Sequence, residues 1–461
     1  MKLPFQLSKF DYGVYAISLG LCFLLFKQSD LTLTNNASFA YLYGHFGDFY
    51  DYNRPLFTGN NYLPVFYSIF ALWNIPLKLL GLNPEITTQT WMLSTEIQTI
   101  WSKLLLAIFF FGSIRFVGKI ADQISGTKNA DQANQKNLAP KYLFATSPIA
   151  IFAVFIFSGY DIFGVFFTLL GLHAYFAKNW KWFVIWFSVA ISFKYFAALI
   201  YLPLVLLIEK RIPHLVLYGL LGLAFSALQF WMYWHSDAFH FGIFELISEK
   251  TGGHGVSLRF MFANLVYVAL CLYLYFSKFD FRVNTYAWYR RAIFVCVLAY
   301  ALFFSWTLWH PQWLVITTPF ICLAYPFIRS KRLLLIIDIL GYLGFAIFTM
   351  NNWVGNADNT MLYGGVFGDV LPRTMTLASE VIGPNWMPFS RTLLYSSLYL
   401  PLLIACFEWG YVKSKWYSKQ KEGPRNDVLP LEACTGKVLF RVRFLIASYF
   451  FIVVSALCLA L

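Results

Sequence analysis

Residues 23–36 read FLLFKQSDLTLTNN: an apolar run ends, and Asp30 places a carboxylate where the chain leaves it. The run behind it, residues 11–29, is predicted as a retained membrane span rather than a signal peptide, because no small-residue cleavage site follows it. Similar apolar runs recur to the end of the sequence. Across 461 residues the chain is 59% hydrophobic, 21% aromatic and 12% charged, where a soluble globular protein is about 25% charged. No soluble core needs that much apolar surface, so most of this chain has lipid as its solvent. The expected fold class is all-α, a polytopic integral membrane protein.

Spans are predicted near 11–29, 99–118, 142–158, 162–177, 183–193, 196–208, 213–234, 260–276, 292–307, 313–327, 333–350, 391–409 and 443–461. That makes about 13 transmembrane helices, several shorter than the ~20 residues a crossing needs. Residues 62–81, YLPVFYSIFALWNIPLKLLG, are read instead as an amphipathic helix at the interface. Counting them as a span would put the basic loop 115–141 outside, and Asn74 and Lys78 interrupt their apolar face. With that parity most of the 35 Lys and Arg residues fall in inner loops, chiefly 115–141, 277–291 and 411–443. The 22 carboxylates show no such bias. The N-terminus is therefore expected in the cytoplasm, with segments 30–98, 235–258 and 351–390 outside. The net charge of +13 follows this loop pattern rather than one basic face, so no nucleic-acid partner is indicated. The seven cysteines show no metal-ligand spacing and none lies in an outer loop.

Chemistry is sought among polar residues that the spans themselves do not require. Lys27, Gln28 and Ser29 already provide a polar exit, so Asp30 is either an ordinary interfacial acid or a base. A carboxylate half out of water has its pKa pushed upward, which suits a general base. Asp48 and Asp51, in GHFGDFYDYNRP, lie among aromatic residues that could line a sugar site or anchor an interfacial segment. Asp161 sits in a turn so short that it barely leaves the membrane, where an unused ionisable group is costly. Lys194 is a lone outer cation, suited to an anionic partner or to snorkelling. In SWTLWHPQWLV, residues 305–315, Pro311 presents His310 and Gln312 between Trp306, Trp309 and Trp313. An aromatic belt accounts for the tryptophans but not for the His-Pro-Gln turn. Arg259 beside the flexible TGGHG segment, 251–255, adds a possible phosphate contact, and Asp338 is expected to pair with inner basic residues.

Taken in order, these features resemble the GT-C superfamily of polytopic glycosyltransferases that use polyprenyl-phosphate sugars. The likeness covers most of the first 320 residues. It rests on the acid after the first span, Asp30, and the Tyr62-Leu63-Pro64 start of the loop helix. Ser147-Pro148 with Gly159-Tyr160-Asp161, Phe193-Lys194 and His310-Pro311-Gln312-Trp313 complete it. The second acid many relatives carry after the first span is Leu31 here.

The resemblance implies a GT-C-like catalytic module over 1–211 and a C-terminal module over 212–461 that shapes the acceptor or carrier groove. It implies inverting transfer of a sugar from a polyprenyl-phosphate donor to a glycan, glycolipid or protein acceptor on the outer face. Asp30 would be the catalytic base; Asp48, Asp161 and Trp309 would contact sugar or acceptor. Lys194, His310, Gln312 and Arg259 would hold the donor phosphate. No cofactor is required, although a divalent cation could be held by Asp161 and Asp48. The rival readings are a lipid-linked oligosaccharide flippase or transporter, and a polysaccharide polymerase or ligase. A transporter would favour paired intramembrane charges, broken helices in corresponding positions and two similar halves. A polymerase or ligase would favour more outer arginines than Arg54, Arg259, Arg373 and Arg391.

Overall fold

The computed structural model describes residues 8–56, 60–125 apart from 85, 88, 89 and 91, 138–245, 258–282, 285–306, 309–328, 330–353, 359–372, 376–416 and 431–460. No strand occurs among them. Six helices are long and apolar enough to cross a membrane: Glu96–Ser125, Ile212–Met232, Thr285–Ser305, Lys331–Asn352, Pro384–Glu408 and Arg441–Ala460. A seventh candidate is a broken pair, and four further apolar helices have only 10–17 residues. The chain is thus a helical protein of membrane character. The sequence count is larger because four of its apolar runs, 162–177, 183–193, 196–208 and 260–276, form helices of 10–17 residues, and others are broken. Residues 142–158, for example, are not one helix: Leu138–Ala145 ends, Ser147-Pro148 restarts a turn, and Phe152–Ile156 forms a π-helical turn.

The broken pair is α1 (Lys9–Leu25) and α2 (Ser29–Leu42), bent by 70°. Ser8 and Asp11 start α1 as a capping box, each side chain accepting the other's backbone N–H. Asp11 also accepts from Arg441 at 2.9 Å, Tyr12 meets Tyr142 at 3.0 Å, and Tyr15 donates to the Ala145 carbonyl. These contacts gather the start of α1, residues 142–145 and the region of Arg441 at one end of the bundle. At the other end, the Lys27 and Gln28 N–H groups donate to the Met361 and Phe157 carbonyls at 3.0 and 3.2 Å. Asp338, expected to pair with the basic residues close by in sequence, accepts instead from Arg443 of the last helix, which also donates to Thr146.

α2 is unusually polar, and Thr32, Thr34, Asn35, Asn36 and Ser38 are buried in it. Their partner is α3 (Pro64–Leu79), whose Asn74 donates to Asn35 Oδ1 at 2.8 Å and to Ser38 Oγ at 3.2 Å. Asn74 therefore faces α2 and does not interrupt a lipid-facing surface, while Lys78 donates to the Leu42 carbonyl at the end of α2. At 16 residues α3 is short for a crossing. Because Asn36 is fully buried, the Asn36-Ala37-Ser38 sequon is closed to modification in the folded chain. Trp73 of α3 and Trp101 of α4 (Glu96–Ser125) stack at 4.6 Å and exchange indole hydrogen bonds to each other's carbonyls.

Lys103, inside the apolar α4, is 1% exposed. Its amine donates to the carbonyls of Phe26 and of Phe155, the latter at 3.0 Å, and approaches that of Cys22 at 3.5 Å. The end of α1 and the π-helical turn both leave carbonyls that their own helices do not satisfy. One side chain serves both breaks. Lys103→Met is expected to cost about 1–3 kcal/mol for each carbonyl orphaned. Thermal unfolding of the purified protein in detergent measures this; an unchanged midpoint would show that other groups satisfy those carbonyls.

Candidate functional site

α6 and α7 place the central charges. To keep chain order, the 138–145 helix is α5; α6 is Ile162–Phe176 and α7 is Trp180–Phe193, with 15 and 14 residues. A short turn at 177–179 joins them antiparallel, so the residue before α6 meets the residue after α7. Those residues are Asp161 and Lys194. Close approach of the two helices needs Gly171, where an added Cβ would sit 2.5 Å from the Phe187 ring.

Lys194 Nζ lies 2.7 Å from Asp161 Oδ1, with both side chains 5% exposed or less. The contact is an ion pair without hydrogen-bond alignment at that oxygen. The ammonium also lies over Trp313 at 4.5 Å, Tyr62 at 5.2 Å and Phe196 at 5.5 Å from the ring centroids. Aromatic faces of this kind hold a desolvated cation by their quadrupoles. A buried pair whose two charges come from opposite ends of a hairpin is costly to desolvate and strongly destabilising to break.

Asp30 stands in the first turn of α2, where free N–H groups favour an anion. Gln28 caps that turn by accepting the Asp30 N–H. The half-buried Tyr62 connects Asp30 with the ion pair. Burial pushes the Tyr62 hydroxyl well above its ordinary pKa, and the Asp161 and Asp30 carboxylates push it further. Tyr160, packed edge-on to Tyr62 at 5.2 Å, is raised by burial first, then by Tyr62 and Asp30, and its hydroxyl accepts from Thr34 at 2.9 Å. Both phenols therefore stay protonated at neutral pH and act as hydrogen-bond donors rather than bases.

Gln312 enters from a 3-10 turn, Pro311–Ile316, and is 4% exposed, with Oε1 lacking a hydrogen-bond partner among the described residues. Its stem fills the space over Gly159, where a Cβ would lie 2.8 Å from Gln312 Cβ and 3.1 Å from the Ala153 carbonyl. Ser158 has φ 63, a left-handed backbone that costs a non-glycine residue about 1–2 kcal/mol. Its hydroxyl is buried and likewise lacks a partner among the described residues. Buried oxygens without partners are uncommon, and here two of them lie together beside the charge pair.

Asp30, Asp161, Lys194 and Gln312 thus belong to one neighbourhood, and His310 borders it. The His310 ring stacks on Trp353 at 4.5 Å and approaches Trp313 at 5.0 Å. Two expected residues lie elsewhere. Asp48 is exposed and pairs with His45 at 3.0 Å, whereas Asp161 is buried. Trp309 is 3% exposed and packs against Phe345 and Phe348, so it belongs to the core and not to a sugar face. The side chain of Arg259 and segment 251–255 lie outside the described residues. Among the described residues no group of three or more His, Cys, Asp or Glu side chains is placed to hold a metal ion.

Sequence reasoning passed over Thr34 and Lys103, and used Tyr62 and Tyr160 only as parts of motifs. Lys103 carried a usable signal, an ionisable residue inside an apolar run. Thr34 carried none.

Lys194→Met or Asp161→Asn alone is expected to destabilise by about 3–5 kcal/mol through the partner left buried. The double variant should lose less than the sum of the two, as seen in thermal or denaturant unfolding. Strict additivity would mean the two charges are not coupled. No family model, no curated protein and no solved structure matches this chain, so the meaning of the cluster is argued from its own chemistry.

Proposed function

We propose that the chain is a multi-pass membrane glycosyltransferase of the GT-C kind. It would move a sugar from a polyprenyl-phosphate donor to a glycan, glycolipid or protein acceptor on the non-cytoplasmic face. The observation that carries this reading is that two carboxylates from distant segments, Asp30 and Asp161, flank one tyrosine beside a buried lysine at one end of the bundle. The basic loops, including the segment that ends at Arg441 and Arg443, favour placing the opposite end in the cytoplasm.

Asp30 takes the proton of the acceptor hydroxyl as that oxygen attacks the anomeric carbon. The bond from that carbon to the phosphate oxygen breaks, and the polyprenyl phosphate leaves with its electron pair. A single displacement inverts the configuration. Lys194 has three N–H donors and one carboxylate, so it retains donors for the charge that develops on the phosphate. Asp161 positions that amine, and Tyr62, which accepts from Tyr160, donates to a hydroxyl of sugar or acceptor. The unpartnered Gln312 Oε1 accepts from another such hydroxyl.

A second reading, a transporter of a lipid-linked saccharide, is favoured by two features, the buried Asp161–Lys194 charge pair and the helix breaks around it. Helices break all around the charges: at residues 26–28, at the π-helical turn 152–156, at 195–197 and at 311–316. Transporters bind substrates at such breaks.

Asp30→Asn should abolish transfer while the thermal midpoint stays near that of the wild type. Mass spectrometry of lipid-linked sugars and surface glycans, in cells lacking the gene and complemented by wild type or Asp30→Asn, checks this. A missing sugar with a persisting donor, restored only by wild type, supports transfer. A complete glycan stranded on the inner leaflet supports transport, and a fully active Asp30→Asn removes Asp30 from the mechanism.

A further inference from the structure

A cleft of about 880 Å³ opens beside the break between α1 and α2, bounded by residues 27–32, 83–99 and 361–369. It is not the Asp30 neighbourhood. Gln28, Ser29 and Thr32 line it, while Asp30 turns toward Tyr62 and Tyr160. Successive residues step about 100° around a helix, so the two sites occupy different faces of α2.

Lys27 lies in the wall of this cleft and is 7% exposed. Its amine donates to Ser94 Oγ at 2.6 Å and to Thr99 Oγ1 at 3.1 Å. Ser94 is itself hydrogen-bonded to Thr99 at 2.9 Å and approaches Thr32 at 3.4 Å. All these partners are neutral. Lys27 forms no ion pair with a carboxylate among the described residues, unlike Lys194, whose charge Asp161 offsets. Glu96 and Asp369 also line the cleft, and both are exposed. Lys103, a second buried lysine, is held by backbone carbonyls and lies over the Phe23 ring at 5.1 Å.

A buried ammonium with neutral partners keeps a large part of its desolvation penalty, which an incoming anion would offset. The hydroxyls around it are suited to a multi-oxygen anion. The geometry points to a second binding site in this cleft for a phosphate group, with Lys27 as its charged anchor and Ser94, Thr99 and Thr32 as orienting hydroxyls. The phosphate belongs either to a membrane lipid headgroup or to a soluble phosphorylated compound. This assignment rests on Lys27 and the cleft, and stands whether or not the chain transfers sugar.

The test uses the full chain in phosphatidylcholine nanodiscs, with two probes: inorganic pyrophosphate added to the solution, and phosphatidylglycerol incorporated in the disc. Thermal midpoints and native mass spectrometry read binding. Wild type should respond to at least one probe; Lys27→Met should weaken that response by about tenfold or more, and Lys27→Arg should largely keep it. A response to pyrophosphate alone identifies a soluble ligand, and a response to phosphatidylglycerol alone identifies a lipid. No response in wild type, or an equal response in Lys27→Met, overturns the site. Should Lys27→Met fail to fold, Met92→Cys at the mouth, labelled with a bulky maleimide, replaces it. Loss of the probe response relative to equally treated wild type supports the cleft as the site. An unchanged response overturns it.

Discussion

The amine of Lys103 collects carbonyls from two places where helices break, and the geometry of the site end depends on that contact. The end of α1 and the π-helical turn at 152–156 each leave backbone oxygens without partners. In an apolar interior such oxygens are costly enough to forbid the breaks unless something serves them. With both breaks held by one side chain, α2 can leave α1 at 70°, and the chain after Ile156 can turn sharply through Ser158 and Gly159. The first of these sets Asp30; the second sets Tyr160 and Asp161.

The same end also shows how short helices serve a site. α6 and α7 form a hairpin of nearly equal arms, which returns the chain to its starting depth and closes Asp161 on Lys194. Exposed ion pairs contribute little; a pair buried among Tyr62, Phe196 and Trp313 is expensive to assemble and fixes where its charges lie. That fixed position is what a reacting group needs. The polar face of α2, locked onto α3 through Asn35, Ser38 and Asn74, keeps Asp30 in register with the pair.

Asp30, Asp161, Lys194 and Gln312 were legible as residues without a structural need, because a polar side chain at the edge of an apolar run stands out by composition alone. Asp48 stood out for the same reason and is exposed beside His45, while Trp309, placed in the site only through the resemblance, meets Phe345 and Phe348 from a helix far along the chain. Lys27 reads in the sequence as part of a polar exit, and it is buried there, since the exit is covered by Ser94, Thr99 and the segment around Met361. No local pattern announces such a cover.

By itself the sequence determined that this chain is helical and suited to lipid, because hydropathy and the need to satisfy every backbone group act on each segment separately. It also marked where most of the unusual charges stand along the chain. Which charges meet, which are neutralised and which are left with neutral partners was decided only by tertiary structure. Those outcomes depend on helix lengths, on breaks and on contacts between residues distant in sequence, as with Lys103 reaching Phe26 and Phe155. Hydropathy is a property of a segment, whereas electrostatic pairing is a property of the assembled fold.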